Sequence, residues 1–231
     1  MRRFYKDVGM RKVDDGWQVM LDDRPLKTQR GAPQIVPGAA LADLLAGEWR
    51  EQGEELDTRR FVLRNLADFA IDIVSPDRDA AIDKLLQYAA TDTLCYRADP
   101  DEPLWRRQQE LWEPMVTACE ARHAIQLERI SGIVHRQQPE ISLAALRRRL
   151  ESEDDFTLAA LTTMASLAAS LVVPLALLDN PETDPAALFA AANAEEDWQA
   201  ELWGWDFEAE KTRASRLEAF EKAAQFARAL D

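Results

Sequence analysis

The run Ala194-Glu195-Glu196-Asp197-Trp198-Gln199, followed by Trp203-Gly204, places three adjacent carboxylates close to two indoles. At about 100° per residue, a helix here puts Leu188, Ala191, Ala192, Glu195, Gln199 and Leu202 on one face, flanked by Trp198 and Trp203. Glu195 then stands in the middle of a stripe expected to be apolar, with Glu196 at its edge near Phe189. The chemistry this suggests is recognition. A carboxylate among apolar groups is costly to desolvate unless a cation meets it, and that cation can come from the same chain or from a partner. Trp49, Trp105, Trp112, Trp198, Trp203 and Trp205 all fall in the part of the chain that reads as helical. Core packing explains each of them singly, and Trp203-Gly204-Trp205 is the candidate for indoles used at an interface.

Other chemistry is sparse. The chain has no Gly-rich phosphate loop and no Gly-x-Ser-x-Gly elbow, and only eight glycines in all. Cys119 and His123 are four residues apart and share a helical face, but two ligands do not make a structural zinc site. A packed cysteine and a surface histidine are expected there, and His135 stands in no zinc motif either. No metal and no cofactor are expected. Acidic pairs such as Glu54-Glu55 and Asp154-Asp155 read as solvated faces or helix starts. Three function classes remain open on the residues alone. The chain could be a dedicated binding protein, a general helical protein-binding adaptor, or an enzyme using Asp92, Glu195 or Glu196 as acid and base.

The 231 residues suffice for one large domain or two small ones, and 47% hydrophobic with 30% charged residues is the composition of a folded chain. A net charge of −14 argues against nucleic acid and anionic membrane surfaces as partners. Two cysteines without a Cys-x-x-Cys pair imply a reducing compartment. Met1-Arg2-Arg3-Phe4-Tyr5-Lys6-Asp7 has no apolar run, so neither a secretory signal nor a transit peptide is expected. Phe156 to Leu178 carries no charge, yet Pro174, several Thr and Ser residues and acidic flanks favour a buried central helix over a membrane span.

The elements that must position these residues change character along the chain. Val13 to Leu21 reads as a hairpin with a short Asp-Gly turn, Asp22-Asp23-Arg24-Pro25 as a second turn, and Gln34 to Pro37 as a further strand. Arg3 to Lys6 is expected to extend this antiparallel meander. After Pro37 the period becomes helical, with segments over 41–53, 65–74, 78–93, 104–122 and 140–150. Asp184-Pro185 starts a helix that carries Glu195 towards Gly204, and a last helix covers 208–230. The expected fold is α+β: an N-terminal antiparallel β domain over 1–37 and a larger multihelical domain over 38–231.

In order and spacing the chain resembles the assembly chaperones of the F-type ATP synthase that act on the α subunit of its catalytic head. Arg3-Phe4-Tyr5-Lys6 and Val19 to Thr28 resemble the family's opening hairpin. Leu66-Ala67 with Ala70-Ile71-Asp72, Thr91 to Ala98, Gln108 with Trp112-Glu113-Pro114, and Ser170-Leu171 with Leu175-Ala176-Leu177 follow. Glu195-Glu196, Gln199 and Trp203-Gly204 close the series. Two places depart from it. Family members carry Thr-Ala-Ile-Asp where this chain has Phe69-Ala70-Ile71-Asp72, and often His-Asp near Glu208-Ala209-Glu210-Lys211.

The resemblance implies a chaperone without turnover or cofactor. It would bind the free α subunit until the β subunit replaces it, with no nucleic acid and no membrane insertion. An essential acidic position of the family falls in the Glu-Glu motif, which implicates Glu195 and Glu196, with Gln199, Trp198 and Trp203 around them. Of the two acids, the helical projection favours Glu195. The bare N-terminus suggests a bacterial cytoplasmic member, or the mitochondrial matrix if the chain is a processed mature form.

Overall fold

Asp14 and Asp15 turn the chain between β1 (Val8–Val13) and β2 (Gly16–Leu21), which pair antiparallel from Val8↔Leu21 to Val13↔Gly16. These are the first elements of a computed structural model that describes residues 1–132, 136–204 and 206–230. β3 (Arg24–Pro25) and β4 (Ile35–Val36) share the other edge of β2, which completes the expected antiparallel meander. Gly16 has φ +146°, and a Cβ there would lie 2.3 Å from the Val36 carbonyl oxygen, so only glycine lets β4 approach. Arg3 to Lys6 does not extend this sheet. An isolated bridge joins Arg2 to Glu55, and Tyr5 turns inward, where its hydroxyl donates to the Trp49 carbonyl at 2.6 Å.

The strands belong to a unit made of Met1–Ala80, Asp154–Ala160 and the residues from Lys222 onward. Its core packs Val19 and Leu21 of β2 with Leu41, Leu45 and Trp49 of α1 (Ala39–Arg50). Glu48 interrupts the apolar stripe of α1 for a local reason. Its carboxylate accepts the free amides of Leu63 (2.7 Å) and Arg64 (2.9 Å) at the start of α2 (Val62–Phe69). Burial pushes this carboxyl above the usual range.

α2 widens into a π turn over Ala70–Val74, which brings Asp68 and Asp72 to the loop after β3. Asp72 accepts from the Thr28 hydroxyl at 2.8 Å and the Arg30 amide, while Asp68 accepts from the Gln29 amide and from Gln34 Nε2 at 2.6 Å. An Asp72→Ala variant is therefore expected to lose about 1–2 kcal/mol in urea denaturation. Wild-type stability in that variant would show the clamp to be idle.

Ala81–Glu153 and Leu161–Glu221 form the second unit. α3 (Arg78–Ala90) leads into it, and α4 (Pro103–His123) packs against α7 (Val172–Asp179) and α8 (Pro185–Ala192). Trp112 at the middle of α4 is fully buried and donates its indole N–H to the Ala191 carbonyl at 2.6 Å. β5 (Tyr96–Arg97) pairs in parallel with β6 (Ile130–Ser131). Arg97 donates to the carbonyls of Leu94 (2.7 Å) and Gln108 (3.2 Å) and to Glu113 (3.1 Å), with its guanidinium 5.5 Å from the Trp112 ring centroid. Arg129 holds the far side of Glu113 at 2.7 Å and also binds Glu120.

Before α5 (Glu140–Glu151) the chain runs extended through Gln126–Arg129, and side chains close both of its edges. Ser142 Oγ accepts from the Gln126 amide and donates to the Gln126 carbonyl, and the Gln138 amide does the same for Glu128. On the other edge, Glu120 accepts from the Leu127 amide and Arg129 donates to the Leu127 carbonyl.

The uncharged stretch 156–178 is two helices, not one. α6 (Asp155–Ala168) ends at Ala169, which takes a left-handed φ of +48°, before α7 begins. Asp92, fully buried, explains the break. Its Oδ2 accepts the amides of Leu171 (2.8 Å) and Val172 (3.0 Å), its Oδ1 accepts from Leu94 (3.1 Å), and the Ser170 side chain adds another bond. Capping by this carboxylate starts α7 afresh. Among the described residues, no helix is long and apolar enough to cross a membrane.

Candidate functional site

The helix expected to run from Pro185 to Gly204 is broken at Asn193. α8 ends at Ala192 and α9 spans Ala194–Trp203, with Asn193 at φ −100°, ψ 20° between them. The Phe189 carbonyl accepts both the Asn193 amide, at 3.1 Å, and the Asn193 side-chain amide, at 2.8 Å, so Asn193 closes the end of α8 on itself. This break divides the stripe read from the sequence. Leu188, Ala191 and Ala192 are buried, whereas Glu195, Gln199 and Leu202 are exposed on α9. Glu195 is thus not embedded in an apolar interior, and burial imposes no desolvation cost on it.

Three of the four acids of α9 are paired within the chain. Glu196 meets Arg216 at 3.0 Å, Asp197 takes two bonds from Arg213 at 2.9 and 3.1 Å, and Glu201 meets Arg107 at 2.7 Å. Arg213 and Arg216 reach these acids across the face of Phe189, at 4.3 and 5.7 Å from its ring centroid. Arg216 also donates to the Leu167 carbonyl and to Asn193 Oδ1. Glu195 has no ion-pair partner among the described residues.

The tryptophans separate just as clearly. Trp49 and Trp112 are core, and Trp198 is half-buried with the Arg107 guanidinium 5.8 Å from its centroid. Trp203 is 87% exposed, its neighbour Leu202 60%, and Phe207, the first residue of α10 (Phe207–Arg228), 75%. Trp205 lies outside the described residues, as does His135. Gly204 ends α9 at φ +87°, ψ 153°, a conformation essentially restricted to glycine. The Trp203-Gly204 pair therefore combines an exposed anchor with the turn that presents it.

Residues 2–120 match the sequence profile of the ATP12 chaperone protein family. The chain belongs to this family. Two solved structures of Atp12 from Paracoccus denitrificans, one of them a mutant, superpose with a TM-score of 0.93 at 36% identity, covering 100% of this chain and 98% of that one. The Atu1473 protein of Agrobacterium tumefaciens gives a TM-score of 0.94 at 35% identity, over 100% of this chain and 86% of that one.

The blocks that carry the ATP12 resemblance now divide by what they touch. Thr28 binds Asp72, Asp92 caps α7, and Gln108 accepts the Ala98 amide at 2.7 Å while Trp112 fills the core. All of these hold the fold. In the closing block, Glu195, Gln199 and Trp203 are exposed, while Glu196 and Trp198 are engaged by arginines.

Leu202, read from the sequence as part of the apolar stripe, is exposed instead, and Phe207, which sequence reasoning did not select, joins the exposed group. His123 is not a surface residue. Its side chain is buried and bonds Asp179 at 3.0 Å. Cys95 and Cys119 are buried free thiols, both pushed up to about 12 chiefly by burial, which leaves them chemically inert.

Proposed function

We propose that this ATP12-family chaperone takes part in assembly of the F-type ATP synthase by holding the free α subunit of the catalytic head until the β subunit replaces it. It works without turnover or cofactor, in the cytoplasm of a bacterium. The observation that supports this reading best is the exposure of α9, which carries the unpaired Glu195 in its first turn and Leu202 and Trp203, both exposed, in its last. Exposed large apolar side chains and one uncompensated charge on the same short helix suit a surface that another protein covers. Glu195 and Gln199 meet a basic and polar rim on the client, Trp203 supplies the apolar anchor, and Glu196 and Trp198 support them from behind. A single charge so placed confers specificity by rejecting surfaces that lack a matching cation.

The test is capture of separately expressed α and β subunits by the purified protein. Selective capture of α is expected, weakened about 30-fold or more by Glu195→Lys and by Trp203→Ala in variants whose circular dichroism is unchanged. Equal capture of α, β and unrelated unfolded proteins would instead mark a general adaptor. Undiminished capture of α by both variants would place the contact elsewhere.

A further inference from the structure

We propose that Arg107, Arg213 and Arg216 are positioning residues that fix α9 as a presenting helix and leave Glu195 as its single available charge. This rests on the client-binding reading above. α9 has ten residues and buries one of them, Ala194. A helix so short is marginal in water, and beyond Ala194 only Asp197, Trp198 and Ala200 are even half-buried as it packs on α4 and α8. Ion pairs to two longer helices add to that packing: Arg107 of α4 grips Glu201, and Arg213 and Arg216 of α10 grip Asp197 and Glu196. The pair at Asp197 is the strongest of the three. Its side chains are 14% and 23% exposed, the contact is two-pronged, and Phe189 fixes the arginine by stacking.

The same contacts set the charge that a client meets. Without the arginines α9 would offer four carboxylates, whereas with them it offers one. The acids are therefore divided by role: Glu196, Asp197 and Glu201 place the helix, and Glu195 is left for the partner.

Hydrogen exchange of the full chain, read by mass spectrometry on peptides from α9 and α7, tests this. Asp197→Asn and Arg213→Gln remove the same pair from opposite sides. Each is expected to speed exchange in α9 about tenfold, with no further gain in the double variant and no change in α7. Asp197→Asn preserves side-chain size and keeps the test alive if Arg213→Gln fails to fold. Both variants retain Glu195, Gln199 and Trp203, yet capture of the α subunit should fall. Wild-type exchange in α9, additive effects in the double variant, or undiminished capture with a loosened α9 would each overturn the proposal. If the wild type captured no α subunit while α9 responded as expected, the client reading would fail and the arginine clamp would stand.

Discussion

Asp92→Ala should lose about 3–5 kcal/mol of stability, seen as a fall in Tm of about 10 °C. The carboxylate is fully buried and accepts the amides of Leu94, Leu171 and Val172 as well as a bond from Ser170. Alanine leaves those donors without partners in a site that water does not reach, and each unsatisfied buried group costs about 1–3 kcal/mol. Asp92→Asn should cost less, because one oxygen remains, but its amide must face a donor.

The pH dependence then identifies the charge. Burial pushes the Asp92 carboxyl from 3.8 up to about 6, against the hydrogen bonds that draw it down. The folded chain therefore holds this proton more tightly than the unfolded chain does. Stability from this group is lost as pH rises through 6 and is fully present below the unfolded value near 4. Over that window the wild type should gain about 3 kcal/mol relative to Asp92→Asn. Parallel stability profiles for the two proteins between pH 4 and 7 would show that Asp92 does not titrate there.

Arg97→Ala is expected to cost about 3–5 kcal/mol in urea denaturation. Its side chain is 1% exposed, and its donors serve the Leu94 and Gln108 carbonyls and Glu113 at once. Removing it takes a buried donor from both carbonyls and empties the space over Trp112. Glu113 keeps Arg129, which holds its carboxyl below the usual range, so the carboxylate is not the main loss. Arg97→Lys should recover only part of the stability, because an ammonium cannot span three acceptors arranged for a planar fork. Full recovery by lysine would mean that charge alone matters at this position.

Local signals foretold what local geometry decides. Asp14-Asp15-Gly16 marked the hairpin, and Asp184-Pro185 marked the start of α8, where Asp184 accepts the Ala186 amide. The breaks at Asn193 and Ala169 were not legible. Ala190, Ala191 and Ala192 favour helix right up to Asn193, and the residue that interrupts 156–178 is Asp92, some 80 residues away. Glu195 was singled out from a continuous helical projection that the structure divides, and its exposure follows from that division. The arginines that pair with α9 lie 16 to 94 residues from their acids, and no spacing in the sequence could have matched them. The buried place of Glu48 on α1 was not legible either, because the amides it caps belong to a different helix.

The extended run at Gln126–Arg129 has a consequence for a member of a chaperone family. Incomplete subunits expose strands seeking a neighbour, and any open strand on the chaperone is a template for indiscriminate zipping. Here Ser142, Gln138, Glu120 and Arg129 occupy the hydrogen-bonding positions on both sides of the run. A client cannot add itself there as one more strand. This stretch of the chaperone's own backbone stays closed to strand addition.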